Sequence, residues 1–89
     1  MISRTTERFR KAFEKLPTDV QHQAKVVFKK WKENPYYKSL HFKKVHATKP
    51  IYSIRIGIDW RAVCINQDEN IVWFWIGSHA EYNKIISQL

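Results

Sequence analysis

Apolar residues recur with a helical period through the first third of the chain. The first stripe comprises Phe9, Ala12, Phe13 and Leu16, at the spacing i, i+3, i+4 and i+7. The second comprises Val20, Ala24, Val27, Phe28 and Trp31. Pro17 and Pro35 bound the second stripe, because the residue before a proline is pushed out of the helical region. The pattern predicts an antiparallel helical hairpin with one shared apolar side. Thr18 and Gln21 predict a capping box at the start of its second helix.

From residue 40 onward the apolar period changes to two, which indicates β-strands. A short strand is predicted around residues 40–45, and the alternation of Ile54 and Ile56 with Ser53 and Arg55 predicts a strand over 52–58. Further segments predict a strand over 60–65, a hairpin turn over 66–70 and a helix over 79–89. Residues 71–76, IVWFWI, are apolar throughout, so we expect a central strand covered on both faces. Residues 1–3 could add an edge strand, which so short a segment does not settle.

Together these elements predict an α+β fold, since helices that precede a run of antiparallel strands pack on one face of the sheet. We expect an N-terminal helical hairpin packed on a three- to four-stranded antiparallel sheet, followed by a short C-terminal helix. A chain of 89 residues leaves no room for a second core, so residues 1–89 are predicted to form a single domain.

The charge of the chain indicates what such a domain binds. There are 16 Lys and Arg against 8 Asp and Glu, a formal net charge of +8 at pH 7. Such an excess favours an acidic partner: nucleic acid, an anionic membrane or an acidic protein. Cys64 is the only cysteine, so an intramolecular disulfide is excluded, and its apolar neighbours predict a buried thiol. We find no apolar segment long enough for a signal peptide or a membrane span, and expect a soluble, reduced, cytoplasmic protein.

Two arginines are candidates for binding phosphate. Alternation places Arg55 on the face opposite Ile54 and Ile56, and Arg61 begins the next strand. If residues 57–60 form the turn, the two guanidiniums lie close together, repel each other and need an anion between them. Their forked donors suit phosphate better than lysine does. The alternative for either residue is an ordinary solvated arginine.

Proton transfer is predicted for His79, which follows the last strand at a rim where the imidazole can give or take a proton near neutral pH. It could also be a loop histidine without a function. Tyr82 lies on the same side of the predicted helix and could stack on a base, contact a phosphate or belong to the core. Asp59 could orient a basic residue, accept a proton or cap the turn. Trp60 is either a core residue or a stacking platform for a base.

Three lysines flank the predicted strands and are expected to follow an RNA backbone: Lys43, Lys44 and Lys49. His41 and His46 flank the Lys43–Lys44 pair and could extend this path or have no function. The four histidines and the one cysteine lack the spacing of a zinc site, so no metal is predicted.

Several short strings occur in one order along the chain: KLP between the helices, NP after the second helix, Y-x-I-R-I, then D-W-R-A-V and finally I-G-S-H-A-E-Y. In this order they resemble the RelE/ParE superfamily, the toxins of bacterial type II toxin–antitoxin pairs. The resemblance covers nearly the whole chain. It is most specific over residues 55–61 and 77–82, which are similar to the YafQ- and RelE-like ribonuclease branches.

The resemblance implies a RelE-like fold and a ribonuclease that needs no metal or other cofactor, cleaves mRNA on the ribosome and is neutralised by an acidic antitoxin. His79 matches the histidine of the family's G-S/T-H motif, and Tyr82 approximates the aromatic residue that follows it. Asp59 and Trp60 match the D-W pair of the YafQ-like pattern. Arg61 matches the arginine that opens this strand in RelE-like members.

Two departures from the family pattern concern the site. Arg55 stands where the YafQ-like pattern has a histidine, so the acid–base pair must be built differently, and Tyr82 comes one residue early. The expected reaction is attack of a ribose 2′-hydroxyl on its own phosphodiester, with Arg55 and Arg61 stabilising charge, His79 transferring a proton and Asp59 as its counterpart. The alternatives are a ParE-like inhibitor of DNA gyrase without a nuclease site, and an RNA-binding domain without catalysis.

Overall fold

A computed structural model describes residues 2–89 of the chain. The helices are α1 (Glu7–Glu14), α2 (Thr18–Glu33) and α3 (His79–Gln88), with a short 3₁₀ helix at Lys38–Leu40. The strands are β1 (Ile2–Thr5), β2 (Lys43–Lys44), β3 (Ile51–Ile56), β4 (Trp60–Gln67) and β5 (Asn70–Ser78). The α+β class and the short C-terminal helix are therefore confirmed.

The sheet has five strands in the order β1-β5-β4-β3-β2. β1 runs parallel to β5, whereas the other neighbours are antiparallel. The prediction of a three- to four-stranded antiparallel sheet is therefore wrong in strand number and, for β1, in direction. The four residues of β1 are all exposed and carry no apolar alternation, so backbone pairing rather than a buried face holds this strand. Met1, part of the predicted edge strand, lies outside the described residues.

The two N-terminal helices cover one face of the sheet but do not form a closely packed hairpin. α1 lies over β5 and α2 lies over β3, so each helix buries its apolar stripe against the sheet. A groove of about 540 Å³ remains between them, lined by Phe9, Phe13 and Phe28 among others. The shared apolar side predicted for the two helices is thus directed at the strands more than at the partner helix.

A cluster of aromatic rings fills the layer between helices and sheet. The fully covered Trp31 and the nearly covered Trp73 meet edge to face with ring centroids 5.3 Å apart, and Phe28 lies 4.9 Å from Trp73. Such T-shaped pairs stabilise a core beyond the area that they bury. Cys64, predicted to be buried, is 0% exposed in this layer, and burial raises the pKa of its thiol to about 12.

The start of α2 differs from the predicted capping box. Pro17 occupies the N-cap position and provides no side-chain hydrogen bond, while Thr18 is already helical. The Gln21 side chain instead donates from Nε2 to the carbonyls of Glu14 (3.2 Å), the last residue of α1, and of Leu16 (2.9 Å), in the connection that follows. Gln21 therefore ties the two helices together rather than closing its own first turn.

A bulge in β5 decides which side chains reach each face of the sheet. Val63 pairs with Trp75 and the next residue, Cys64, pairs with Trp73, so Phe74 is an extra residue in β5. The alternation changes phase there: Trp73 and Ile76 both face the helices, whereas Trp75 and Gly77 face the other side. β5 is an interior strand, but β4 is the central one. The face of β5 away from the helices is only partly covered, contrary to the prediction. Within residues 2–89, no helix is both long and apolar enough to cross a membrane.

Candidate functional site

A polar pocket of about 140 Å³ lies on the sheet face away from α1 and α2, near the β3–β4 turn and the first turn of α3. Its lining consists of His41, Lys43, Ser53, Arg55, Arg61, His79 and Tyr82. Five of these were predicted as site residues, namely Lys43, Arg55, Arg61, His79 and Tyr82. The pocket is smaller than the clefts of roughly 300–1,000 Å³ that enclose whole small molecules, and its size suits one charged group of a longer ligand.

The two arginines are direct neighbours across the β3–β4 ladder. Arg55 pairs with Arg61, and Arg61 pairs on its other side with Gly77 of β5. Side chains opposite each other in an antiparallel pair have Cβ atoms about 5 Å apart, and like charges there destabilise the sheet. Gly77 adds no side chain to this row. A Cβ atom at this glycine would come within 2.8 Å of Trp75 Cζ2, because the indole of Trp75 lies over the glycine.

Carbonyl groups of the β3–β4 turn hold both guanidiniums in place. Arg55 donates from Nε to the carbonyl of Gly57 at 3.0 Å. Arg61 donates from Nη1 to the carbonyls of Trp60 at 2.7 Å and Ile58 at 3.2 Å. These contacts orient the side chains but leave their charge uncompensated.

No carboxylate of residues 2–89 forms an ion pair with either arginine. Burial, followed by the neighbouring charge of Arg55, lowers the pKa of Arg61, while Tyr82 and Asp59 act in the opposite direction and are outweighed. Arginine nevertheless remains protonated at any physiological pH. The pocket therefore presents two adjacent unpaired cations, which favours binding of an anion such as phosphate.

His79 is the first residue of α3, where strand β5 ends. Ser78 caps the helix by accepting a hydrogen bond from the Glu81 amide at 3.2 Å, and its hydroxyl donates to Glu81 Oε1 at 2.9 Å. The amide of His79 donates to the carbonyl of Asp59 at 2.6 Å, which fastens the start of α3 to the β3–β4 turn. The imidazole is exposed and stacks on the ring of Tyr82, with centroids 6.0 Å apart and planes inclined by 27°.

Tyr82 joins α3 to the floor of the pocket. Its hydroxyl donates to Oγ of the buried Ser53 at 3.2 Å, and its ring lies 6.4 Å from that of Trp75. Ser53 shares its sheet face with Arg55, which the alternation along β3 indicated, although we did not predict it as a site residue. The hydrogen bond fixes the tyrosine ring beside the imidazole.

His41 reaches the pocket from the side of β2. It ends the 3₁₀ helix in a left-handed conformation (φ +48°, ψ +41°), with its amide donating to the carbonyl of Lys38 at 3.2 Å. Its Nε2 atom lies 3.5 Å from Nη1 of Arg55. The only signal for this residue in the sequence was its position close to Lys43, which lines the pocket from the strand position opposite Ser53.

Asp59 and Trp60, the two residues before Arg61, do not line the pocket. Asp59 is an exposed turn residue, and the main-chain carbonyl, not the carboxylate, makes its contact with His79. Trp60 is partly buried and packs against the core on the helix-covered face. The roles predicted for these two residues stay predictions.

The remaining two lysines lie away from the pocket. Lys44 pairs with Tyr52 and therefore belongs to the opposite face from Lys43. Lys49 precedes β3 and donates to the carbonyl of Leu89 at 3.3 Å. It is six residues from Arg55, or about 20 Å along extended chain. Next to it, His46 accepts the amides of Thr48 and Lys49 on Nδ1, which explains that histidine as a loop-stabilising residue. In the described part of the chain, no three His, Cys, Asp or Glu side chains come together as a metal-binding group.

Comparison with known structures places the fold among RelE-type toxins. The RelB–RelE antitoxin–toxin complex of Methanococcus jannaschii has a TM-score of 0.72 and 15% sequence identity, over 91% of this chain and 95% of that one. YafQ of E. coli has a TM-score of 0.68 and 14% identity, over 90% and 94%. The E. coli RelBE complex has a TM-score of 0.65 and 23% identity, over 85% and 93%.

Sequence comparison then defines the family. Residues 18–84, most of the chain, match the ParE-like toxin domain, and the chain belongs to this family. The resemblance to the RelE/ParE superfamily of toxin–antitoxin systems is therefore confirmed. No curated protein sequence matches the chain significantly.

Proposed function

We propose that this protein is the toxin of a type II toxin–antitoxin system and acts as an mRNA endoribonuclease, in a reaction that depends on the ribosome and needs no metal. The observation that carries this proposal is the pocket itself. Two unpaired guanidiniums, Arg55 and Arg61, lie beside the imidazole of His79 at the end of an interior strand. This combination matches what cleavage of a phosphodiester requires: a site for the phosphate and a group that transfers a proton beside it.

The proposed reaction is attack of a ribose 2′-hydroxyl on the adjacent phosphorus, which yields a 2′,3′-cyclic phosphate and a 5′-hydroxyl. The nucleophile belongs to the substrate, so the protein has to orient the bond, stabilise charge on the phosphorus and move two protons. Arg55 and Arg61 stabilise the negative charge. His79 transfers one of the protons. The sequence suggested Asp59 as its counterpart, but Asp59 does not line the pocket.

Aromatic and basic residues around the pocket would hold the RNA. Tyr82 stacks on His79 and lines the pocket, which suits contact with a base next to the scissile phosphate. Lys43 lines the pocket and would bind a neighbouring phosphate. Lys44, Lys49 and Trp60 contribute more weakly in this proposal, because they lie outside the pocket.

An acidic antitoxin is the proposed protein partner. Support comes from the net charge of +8 and from the groove between α1 and α2, which has an apolar floor of phenylalanines. The charged residues along this groove are Arg10, Lys25, Lys29 and Lys32, with one carboxylate, Glu14. An amphipathic, acidic segment would complement both its floor and its rim.

The test is inducible expression in bacterial cells of the wild type and of His79→Ala and Arg61→Ala, with mapping of new 5′-hydroxyl RNA ends. Loss of one aimed electrostatic donor lowers the rate of such a reaction by about 10²–10³-fold. We expect cleavage to stop in both variants and to be retained in His22→Ala, an exposed histidine on α2. Purified protein that is first stripped with a chelator, then freed of the chelator and added to ribosomes and mRNA, tests whether the protein needs a metal of its own. Cleavage at the wild-type rate by both site variants would contradict the proposal.

Inhibition of DNA gyrase is the second candidate function, because the matching family is that of ParE-like toxin domains. This function predicts toxicity that survives His79→Ala and is accompanied by DNA damage rather than by an arrest of translation. A supercoiling assay with purified gyrase distinguishes it from cleavage of mRNA.

A further inference from the structure

The imidazole of His41 lines the pocket together with that of His79, whereas Asp59, the residue expected to assist His79, does not. His41 lies at the rim with Nε2 3.5 Å from Nη1 of Arg55, and Asp59 stays in the exposed turn. We propose that His41 is the general base of the reaction and that His79 is the general acid. This inference rests on the proposed ribonuclease function and names the residues that move its two protons.

The order of strands places the two histidines on opposite sides of the arginine pair. Along the sheet, His79 follows β5, Arg61 is on β4, Arg55 is on β3 and His41 precedes β2. In an in-line displacement at phosphorus, the attacking and the leaving oxygen lie on opposite sides of the phosphate. A phosphate held between the guanidiniums therefore has one imidazole on the side of each of these oxygens.

The surroundings of His41 favour the base over the acid. Three cations line the pocket together with His41, namely Lys43 from β2, Arg55 from β3 and Arg61 from β4, while α3 contributes His79 and Tyr82. A guanidinium carries only donors, so in this 3.5 Å contact Arg55 donates and Nε2 of His41 is the accepting atom, the one through which an imidazole takes up a proton. The ring of His79 makes a different contact, since it stacks on the ring of Tyr82.

The backbone of His41 is held in an uncommon conformation. With φ at +48°, the residue lies in the left-handed region, where glycine, asparagine, aspartate and histidine are found more often than other residues. Strained backbone of this kind concentrates at functional sites, where it aims a side chain. Here it ends the 3₁₀ helix so that the imidazole reaches the pocket rather than the helix surface.

The reaction balances with these two groups alone. Once Arg55 has turned from His41 to bind the phosphate, the 2′-hydroxyl gives its proton to Nε2 of His41 as the bond from O2′ to phosphorus forms. The bond from phosphorus to O5′ breaks with its electron pair on O5′, which takes the proton of the His79 imidazolium. The products are a 2′,3′-cyclic phosphate and a 5′-hydroxyl, and exchange with water returns both histidines to their starting state.

The experiment compares normal RNA with RNA whose scissile linkage has sulfur in place of O5′. A thiolate leaves without a proton, so the second substrate does not need the acid. His41→Asn and His79→Asn are measured on both substrates in ribosome-bound mRNA, with His22→Asn as the control. Asparagine tolerates the left-handed conformation of residue 41 but is no base. We expect both site variants to lose about 10²–10⁴-fold on normal RNA. On the sulfur substrate, His79→Asn should recover the wild-type rate and His41→Asn should not.

Two results would overturn the assignment: wild-type cleavage of normal RNA by His41→Asn, or recovery of that variant instead of His79→Asn on the sulfur substrate. If His41→Asn lowers the melting temperature, His41→Gly, which is unrestricted at positive φ, replaces it in the same comparison. Failure of the wild type to cleave any RNA would instead contradict the proposed function, so the two failures are distinguishable.

Discussion

The two faces of the sheet are built by the same strands, but their chemistry differs sharply. Towards α1 and α2, strands β3, β4 and β5 contribute Ile54, Cys64 and Trp73, none more than 2% exposed. Towards the pocket, the same strands contribute Arg55, Arg61 and Gly77. Because side chains alternate along a strand, a small chain can bury apolar surface on one face while the other carries charges that repel each other. Stability and the proposed chemistry are therefore separated by the thickness of one sheet.

The largest expected effect comes from one strand that carries a tryptophan on each face. Trp73→Ala removes a nearly covered ring from the aromatic cluster and should lower the free energy of unfolding by about 3–5 kcal/mol. Trp75→Ala removes a half-buried ring from the pocket side and should cost roughly half as much. Urea denaturation of both variants measures the difference. Equal losses would mean that the two faces contribute alike to stability.

A smaller effect is expected at Gly77, where space is limiting. The added Cβ of Gly77→Ala would meet the Trp75 indole at 2.8 Å and displace it, at a cost of about 1–3 kcal/mol. Because Trp75 lies near Tyr82, the near-ultraviolet circular dichroism should change and RNA cleavage should fall.

Gly57→Ala is the matched comparison for Gly77→Ala. Its φ of +62° makes alanine costly by about 1–2 kcal/mol, yet its nearest neighbour is the flexible Gln23 amide at 3.3 Å. We therefore expect lower stability with the tryptophan signal unchanged. A Gly77→Ala protein as stable as the wild type would show that the indole moves freely and does not shape the pocket.

The smallest effect at neutral pH concerns Cys64 on the helix-covered face. Burial raises the pKa of its thiol to about 12 from 9.0, so the native state excludes the thiolate. The unfolded thiol loses its proton from about pH 9 upward, so this contribution to stability is intact below pH 9 and is lost between pH 9 and 12. Wild-type stability should therefore fall more steeply than that of Cys64→Ala over this range. Alkylation of the native protein at pH 8 should be no faster than unfolding, and rapid alkylation would contradict the burial of this residue.

The sequence was sufficient for the features that depend on local period. Alternation along residues 52–58 put Arg55 opposite the isoleucines, and the break after Ile76 put His79 at the end of a strand. The position of Arg55 follows from the alternation of side chains along a strand. The position of His79 follows from the end of the apolar run. The same alternation places Ser53, two residues before Arg55, on the face of the pocket.

Other features depend on contacts between distant segments, which no local pattern records. The bulge at Phe74 is invisible in an apolar run, because every phase of IVWFWI looks equally buried. β1 forms through backbone pairing with β5 and has no apolar face of its own. His41 enters the pocket only because the chain turns left-handed after Leu40. These three features set the lining of the pocket and the edge of the sheet, and they explain why the site was predicted in part.

The length of the three-residue turn between β3 and β4 fixes the register of these two strands. Ile56 pairs with Trp60 across this turn, and that match brings Arg55 opposite Arg61. An insertion or deletion of one residue here would slip the ladder, and each side chain of the slipped strand would point to the other side of the sheet. A guanidinium would then enter the aromatic layer while an apolar residue entered the pocket. A substitution in this turn changes one contact, whereas a change in its length would exchange the residues of the helix-covered face with those of the pocket.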